Sequence, residues 1–228
     1  HKFMVSLGFN SYSDLHRWSV QNVEEFWLRM VDVGGIQFTK TADCVLNQPG
    51  DITSAVFFGG AELSFPEHIL RHAGKRPAII FRGENGSRRE LSFDELGEQV
   101  SAIAEGLRAV GVKKGDRVAG FMPNCPETII AMLAATSLGA IWSSCSPDFG
   151  INGVVDRFGQ ITPKILFTAD GYIYNGKIHD SLKMVRGLLE RIPSIEKTII
   201  VSYNDSGLGV ANLRGGILWD DFGIPETK

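Results

Sequence analysis

The sequence predicts an α/β fold with a largely parallel sheet flanked by helices, and three observations carry that prediction. Short runs rich in β-branched residues recur between residues 79 and 203. Stretches with apolar residues at helical spacing separate them. Glycine, proline and Ser/Asp pairs punctuate each change of period, where helices start and stop.

Residues 1–75 are the least regular part. Val20, Val23, Phe26, Trp27 and Met30 recur at helical spacing, which predicts one helix from about Val20 to Met30, ended by Gly34-Gly35. From Thr39 to Gly60, Pro49-Gly50 and Gly59-Gly60 mark loop with short extended pieces. With so few periodic segments, residues 1–75 are expected to form an N-terminal extension packed around the α/β body rather than a separate domain.

The regular pattern begins with Ala78-Ile79-Ile80-Phe81, a short apolar strand, followed by a charged hairpin-like loop from Arg82 to Glu90. Ser92-Phe93-Asp94-Glu95 has the form of a capping box, in which the Ser92 hydroxyl accepts from a free helix N–H and Glu95 bonds back. Leu96, Val100, Ile103, Ala104 and Leu107 line one face of the helix it starts. Gly111 closes that helix, Lys113 to Asp116 turn the chain, and Arg117 to Phe121 is the next strand. Pro126 opens a mostly apolar helix over Glu127 to Leu138, covered on most sides. Gly139 ends it, and Ala140 to Ser144 is a strand. Ser146-Pro147 reads as the N-cap and first-turn proline of a third helix, striped by Ile151, Val154, Val155, Phe158 and Ile161. Pro163 closes it before a strand from Lys164 to Thr168. Leu182, Val185, Leu188, Leu189 and Ile192 mark a fourth helix, and Lys197 to Ser202 the last clear strand. Strands joined by helices of this length imply right-handed crossovers with helices on both faces. Their strand-to-helix loops gather at one sheet edge, where such proteins bind ligands.

Composition narrows the function. With 43% hydrophobic and 21% charged residues the chain can bury a real core. Its 23 basic and 26 acidic residues leave a net charge of −3, without a basic block, which argues against nucleic acid as a partner. No apolar run is long enough to span a membrane. Cys44, Cys125 and Cys145 are too scattered for a disulfide framework or metal knuckle, and read as reduced, buried thiols of a cytosolic protein. The start at His1 and the stop after Asp220 to Lys228 suggest a piece of a longer protein.

The sequence lacks G-x-G-x-x-G, the P-loop pattern, G-x-S-x-G and H-E-x-x-H. His68 and His72 lie one helical turn apart, too few ligands for a structural zinc site, and read as surface residues. Two strand-to-helix connections remain. Ser143 to Gly150 offers small side chains and free backbone N–H groups for a phosphate or an extended chain. Ala169 to Lys177 holds a tight turn at Asn175-Gly176, then Lys177 as a point charge, with Tyr172 and Tyr174 able to stack on a ring or line a groove. Each also reads as ordinary structure: a capped helix start, and an exposed lysine beside half-buried tyrosines.

Several stretches resemble the adenylate-forming acyl-CoA synthetases. They are Leu91 to Leu96, Gly111 to Val118, Met122 to Glu127, Ala131 to Ala135 and Leu138 to Ile141. Within that superfamily the chain is most similar to the branch that activates acetoacetate. Trp142 to Gly150, Asp156-Arg157-Phe158 and Tyr174-Asn175-Gly176-Lys177 carry this, with Phe26-Trp27 and Gly59 to Leu63 in the extension. The resemblance runs from about Trp18 to Tyr203. It implies that residues 76–228 are the first, incomplete α/β subdomain of an AMP-binding domain. It also implies a two-step ligation in which ATP and acetoacetate give an acyl-adenylate and CoA then takes the acyl group, with Mg2+ offsetting phosphate charge. Tyr174 and Lys177 stand where related acetyl-CoA synthetases carry two arginines against the nucleotide phosphate of CoA. Ser144, Cys145 and Ser146 replace a glycine-containing loop that lies near the pantetheine. No catalytic or metal-binding residue falls in this stretch: the phosphate loop, acyl pocket, ribose-binding Asp and catalytic Lys of the family would lie beyond Lys228, in the missing C-terminal part of the same chain. The stretch alone is therefore expected to make no adenylate. Another short- or medium-chain acid, or an inactive regulatory or scaffold relative, are the alternatives.

Overall fold

The computed structural model describes residues 1–48, 50–204 and 213–223, which divide into two compact units, 1–64 and 65–228. Pro49 and residues 224–228, on which two of the readings above rest in part, lie outside the described residues.

In the first unit, α1 (Lys2–Ser6), α2 (Tyr12–Gln21) and α3 (Val23–Gly34) precede an antiparallel pair, β1 (Cys44–Asn47) and β2 (Val56–Gly59). The single helix expected over 20–30 is two helices. Asn22 breaks it, with its side chain and backbone N–H both turned back to the Trp18 carbonyl. Gly35 ends α3 in the left-handed conformation at φ 56°. Aromatic edges hold the unit together: Trp18 meets Phe26 at 6.3 Å and Trp27 meets Phe57 at 5.7 Å. Leu46 is the only buried hydrophobic side chain among its described residues. Cys44, expected to be buried, is exposed at the first position of a two-stranded ribbon.

The second unit begins with α4 (Phe65–Leu70), then β3 (Pro77–Arg82) and β4 (Arg88–Ser92). The strand at 78–81 therefore belongs to an antiparallel hairpin of its own, not to the parallel sheet. Strand periodicity names a face but not a partner. The capping box forms: Ser92 Oγ accepts from the Glu95 N–H at 3.2 Å, and Glu95 Oε2 accepts from the Ser92 N–H at 2.8 Å. It starts α5 (Phe93–Ala109).

Next come β5 (Arg117–Phe121), α6 (Pro126–Ser137), β6 (Ile141–Cys145), α7 (Ile151–Ile161) and β7 (Ile165–Ala169). The helix α7 does not start at Ser146-Pro147. That pair sits in a turn closed by the Phe149 N–H on the Ser146 carbonyl, and extended Gly150 becomes the N-cap. The segment 169–177, read as loop, contains a hairpin of β8 (Gly171–Tyr174) and β9 (Lys177–Asp180). Asn175 and Gly176 both take positive φ, 50° and 68°, the two-residue turn that matches strand twist. Then follow α8 (Leu182–Arg191), β10 (Lys197–Val201) and β11 (Gly216–Leu218).

The five strands β11-β10-β7-β5-β6 form one sheet in that order, parallel throughout. Successive residues alternate between two cores. Val118, Ile165, Phe167 and Ile199 face α5 and α6, while Ala119, Phe121, Leu166 and Ile200 face α7 and α8. The sheet is thus covered on both faces, the doubly wound arrangement the sequence predicts. Among the described residues no helix is long and apolar enough to cross a membrane.

Gly120, buried on β5, is fixed by packing. A Cβ there would meet the Trp142 ring at 2.5 Å, and that ring is backed by Phe167 with centroids 6.0 Å apart. Gly97 in α5 has nothing within 4 Å of its Cβ position. Gly120→Ala should therefore destabilise the chain by about 1–3 kcal/mol through overpacking. Gly97→Ala should stabilise it by about 0.5–1 kcal/mol, since helical glycine is entropically costly. Urea unfolding midpoints of the two variants, moving in opposite directions, check both.

Candidate functional site

The chain leaves β5 for β6 on one side, then crosses back over β5 to place β7 on the other. The connections after β5 and β7 diverge, and a crevice opens at the carboxyl ends of the strands between them. A cleft of about 290 Å³ lies there. Its floor is Pro123 and Asn124 after β5, with Ser146, Pro147 and Asp148 after β6. One wall is β8, through Tyr172, Ile173 and Tyr174. The opposite wall is the end of the β3–β4 hairpin, Phe81 to Glu84, and Tyr203 after β10 closes the back. The tips of the two hairpins touch, since Glu84 Oε2 accepts from the Gly176 N–H at 3.3 Å.

Buried polar contacts aim these groups. Asp170, 5% exposed at the end of β7, accepts from the Tyr203 N–H at 2.8 Å and the Asn204 N–H at 3.0 Å. The Phe81 ring meets Tyr203 edge-on at 6.4 Å. Tyr172 stacks on His179 across the β8–β9 pair at 4.8 Å. The Tyr172 hydroxyl is held above its ordinary pKa, first by burial and then by Asp148 and Tyr174. Tyr203 is shifted the same way by burial, then by Cys125, Glu84 and Glu127. Both remain neutral donors at physiological pH. Aromatic faces, phenolic hydroxyls and one guanidinium suit a polar chain or a flat ring. Among the described residues no set of three or more His, Cys, Asp or Glu side chains is placed to hold a metal.

The structure brings Ser146 and Tyr174 together in the cleft. Lys177 is the direct cross-strand partner of Tyr174, so it shares that face of the hairpin, exposed and just past the turn. Ser144 is exposed on the edge strand β6, outside the cleft lining. The Cys145 side chain is 7% exposed and packs into the core beneath α7 and α8; burial raises its pKa, opposed by Arg157. Asp148 lies inside the Ser143 to Gly150 stretch picked out by sequence, whereas Arg82, Glu84, Asn124 and Tyr203 lie outside both candidate connections. The carboxyl-edge rule applied to every strand end would have reached Asn124 and Tyr203. Nothing local marks Arg82 and Glu84, which a separate hairpin delivers.

A profile of the AMP-binding enzyme family matches residues 65–212, and the chain belongs to that family. Within it, the acetoacetyl-CoA synthetase of Macaca fascicularis is 37% identical over 221 residues, covering 95% of this chain and 33% of that protein. The acetoacetyl-coenzyme A synthetase of Rhizobium meliloti (strain 1021) is 43% identical over 216 residues, covering 94% of this chain and 33% of that protein. The structure of the acetoacetyl-CoA synthetase from Streptomyces lividans matches with a TM-score of 0.86 at 37% identity, covering 96% of this chain and 34% of that one. The chain spans about a third of the length of the relatives it matches.

Burial pushes the Cys125 thiol up to about 11, aided by the nearby Glu127 carboxylate. It keeps its proton in the folded chain at a pH where the unfolded thiol has lost it, so this contribution to stability is present below about pH 9 and is lost as pH rises towards 11. Native alkylation at pH 8 should therefore label Cys44 first and leave Cys125 and Cys145 untouched until denaturant is added. Peptide mass spectrometry reads the order, and early labelling of Cys125 would contradict the burial.

Proposed function

We propose that the intact protein ligates acetoacetate to CoA using ATP, and that this chain supplies one side of the CoA site. In the first step the acetoacetate carboxylate attacks the α-phosphorus of ATP, giving acetoacetyl-adenylate and pyrophosphate. In the second the CoA thiol attacks the activated carbonyl, its proton is lost, and AMP leaves. Mg2+ would offset phosphate charge in the first step. The proposal assigns ATP and Mg2+ no residue among those described. A cytosolic location belongs to the same reading, in keeping with three free cysteines.

The observation that carries the proposal is the cleft at the switch point, where the connections holding Ser146 and Tyr174 converge. Its tyrosine faces and hydroxyls suit the amide-bearing pantetheine arm or the adenine ring. Lys177, opposite Tyr174 and in solvent, suits a phosphate at the mouth. Ser146 is then the contact on the floor, Ser144 flanks it on β6, and buried Cys145 anchors the turn between them. The similarity to acetoacetyl-CoA synthetases over nearly the whole chain supports acetoacetate as the acid.

Steady-state thioester synthesis by the intact protein tests this. Acetoacetate, ATP and CoA should give acetoacetyl-CoA, and Lys177→Ala should raise the KM for CoA about fivefold with the KM for ATP unchanged, the scale of one exposed charge contact. No thioester from acetoacetate would overturn the reaction, and an unchanged KM for CoA would overturn the role of Lys177.

A further inference from the structure

We infer that Arg82, on the β3–β4 hairpin, is a second anion-binding residue of the cleft and contacts a phosphate group of the thiol cofactor. The inference rests on the reading of the cleft as the CoA site. Arg82 is the one cation among the described residues lining that cleft, and it also borders a second hollow of about 290 Å³ between β3 and the start of α6.

Its electrostatic setting is unfavourable without a ligand. Arg82 lies directly opposite Arg88 in the hairpin register, and like charges so placed repel. Arg88 is neutralised by Glu90 on its own strand. Arg82 has no ion-pair partner among the described residues. Glu90 thus answers one of the two charges, and the cation left without a counter-charge at the lip of the cleft is Arg82, where a ligand can supply it.

The strand that carries it is anchored on both sides, while the Arg82 side chain itself is exposed. Phe81, the preceding residue, pairs across the hairpin with Arg89, and Arg89 Nη2 donates to Glu127 Oε1 at 2.6 Å. The Glu127 side chain is buried on the first turn of α6 and Arg89 is half exposed, so the pair ties the hairpin to the body through one solvent-facing and one buried partner. On the other side Glu84 bonds to Gly176, next to Lys177. Arg82 is thus held between two tethers, and Lys177 stands beyond the second. An extended, multiply phosphorylated cofactor can meet both cations; a neutral ligand needs neither.

Thioester formation by the intact protein, with CoA and with pantetheine as acceptor, tests the inference. Pantetheine is the same thiol arm without phosphates. Arg82→Gln should raise the KM for CoA about fivefold and leave that for pantetheine unchanged, and Arg82→Lys should restore most of the loss. Equal changes for both acceptors would show a structural role and overturn the inference, as would no change for CoA. If Arg82→Gln is silent while Lys177→Ala weakens CoA, this inference alone falls. If both are silent, the reading of the cleft falls with it.

Discussion

Strand β5 is the constraint on which the second unit depends. It is five residues long, and Val118, Ala119 and Phe121 are almost wholly buried on its two faces. It takes ladder hydrogen bonds from β6 on one side and β7 on the other. Because the chain leaves β5 in one direction and returns to it in the other, the crevice at its carboxyl end follows from topology. Gly120 leaves room on β5 for the Trp142 ring of the neighbouring strand β6 to lie across it. The site is therefore placed by backbone packing before any side chain chooses a ligand.

The walls are built differently from the floor. The floor comes from the ends of a sheet buried on both sides. The walls are two antiparallel hairpins, each a two-stranded sheet too small to hold its position alone. Each is fastened by polar contacts: half-exposed Arg89 to buried Glu127 for one, and the Asp170 end of β7, whose carbonyl accepts from the Ser181 N–H, for the other. Such contacts act over short distances and leave the hairpin tips on the solvent side. Their charges are Glu84 and Arg82 on one tip and Lys177 on the other, so the cleft pairs aromatic walls and a polar floor, Asp148 included, with a charged mouth. That combination fits a ligand with an uncharged arm and a phosphorylated end.

The sheet could be read from the sequence because doubly covered strands are apolar runs with few interruptions, as in Ile165 to Phe167, and their helices carry stripes that a capping box or a proline starts. The misreadings have local causes. Gly171 to Tyr174 is too short to show alternation, so β8 passed for loop. Ser146-Pro147 has the composition of a helix start, but the turn closed by Phe149 uses it, and α7 waits for Gly150. The pairing of β3 with β4 instead of the main sheet depends on contacts that periodicity does not encode. The cleft was half visible: Ser146 and Tyr174 lie on connections that the strand-end rule picks out, whereas Arg82 and Glu84 arrive from a hairpin well removed in sequence.

On the proposed reading, the carboxyl-edge crevice beside β5 receives CoA. Hydrogen–deuterium exchange of the intact protein with and without CoA tests it most directly. Protection should concentrate in peptides covering 81–84, 122–124, 146–148 and 171–178. Protection confined to other segments, with these four unchanged at saturating CoA, would contradict the account.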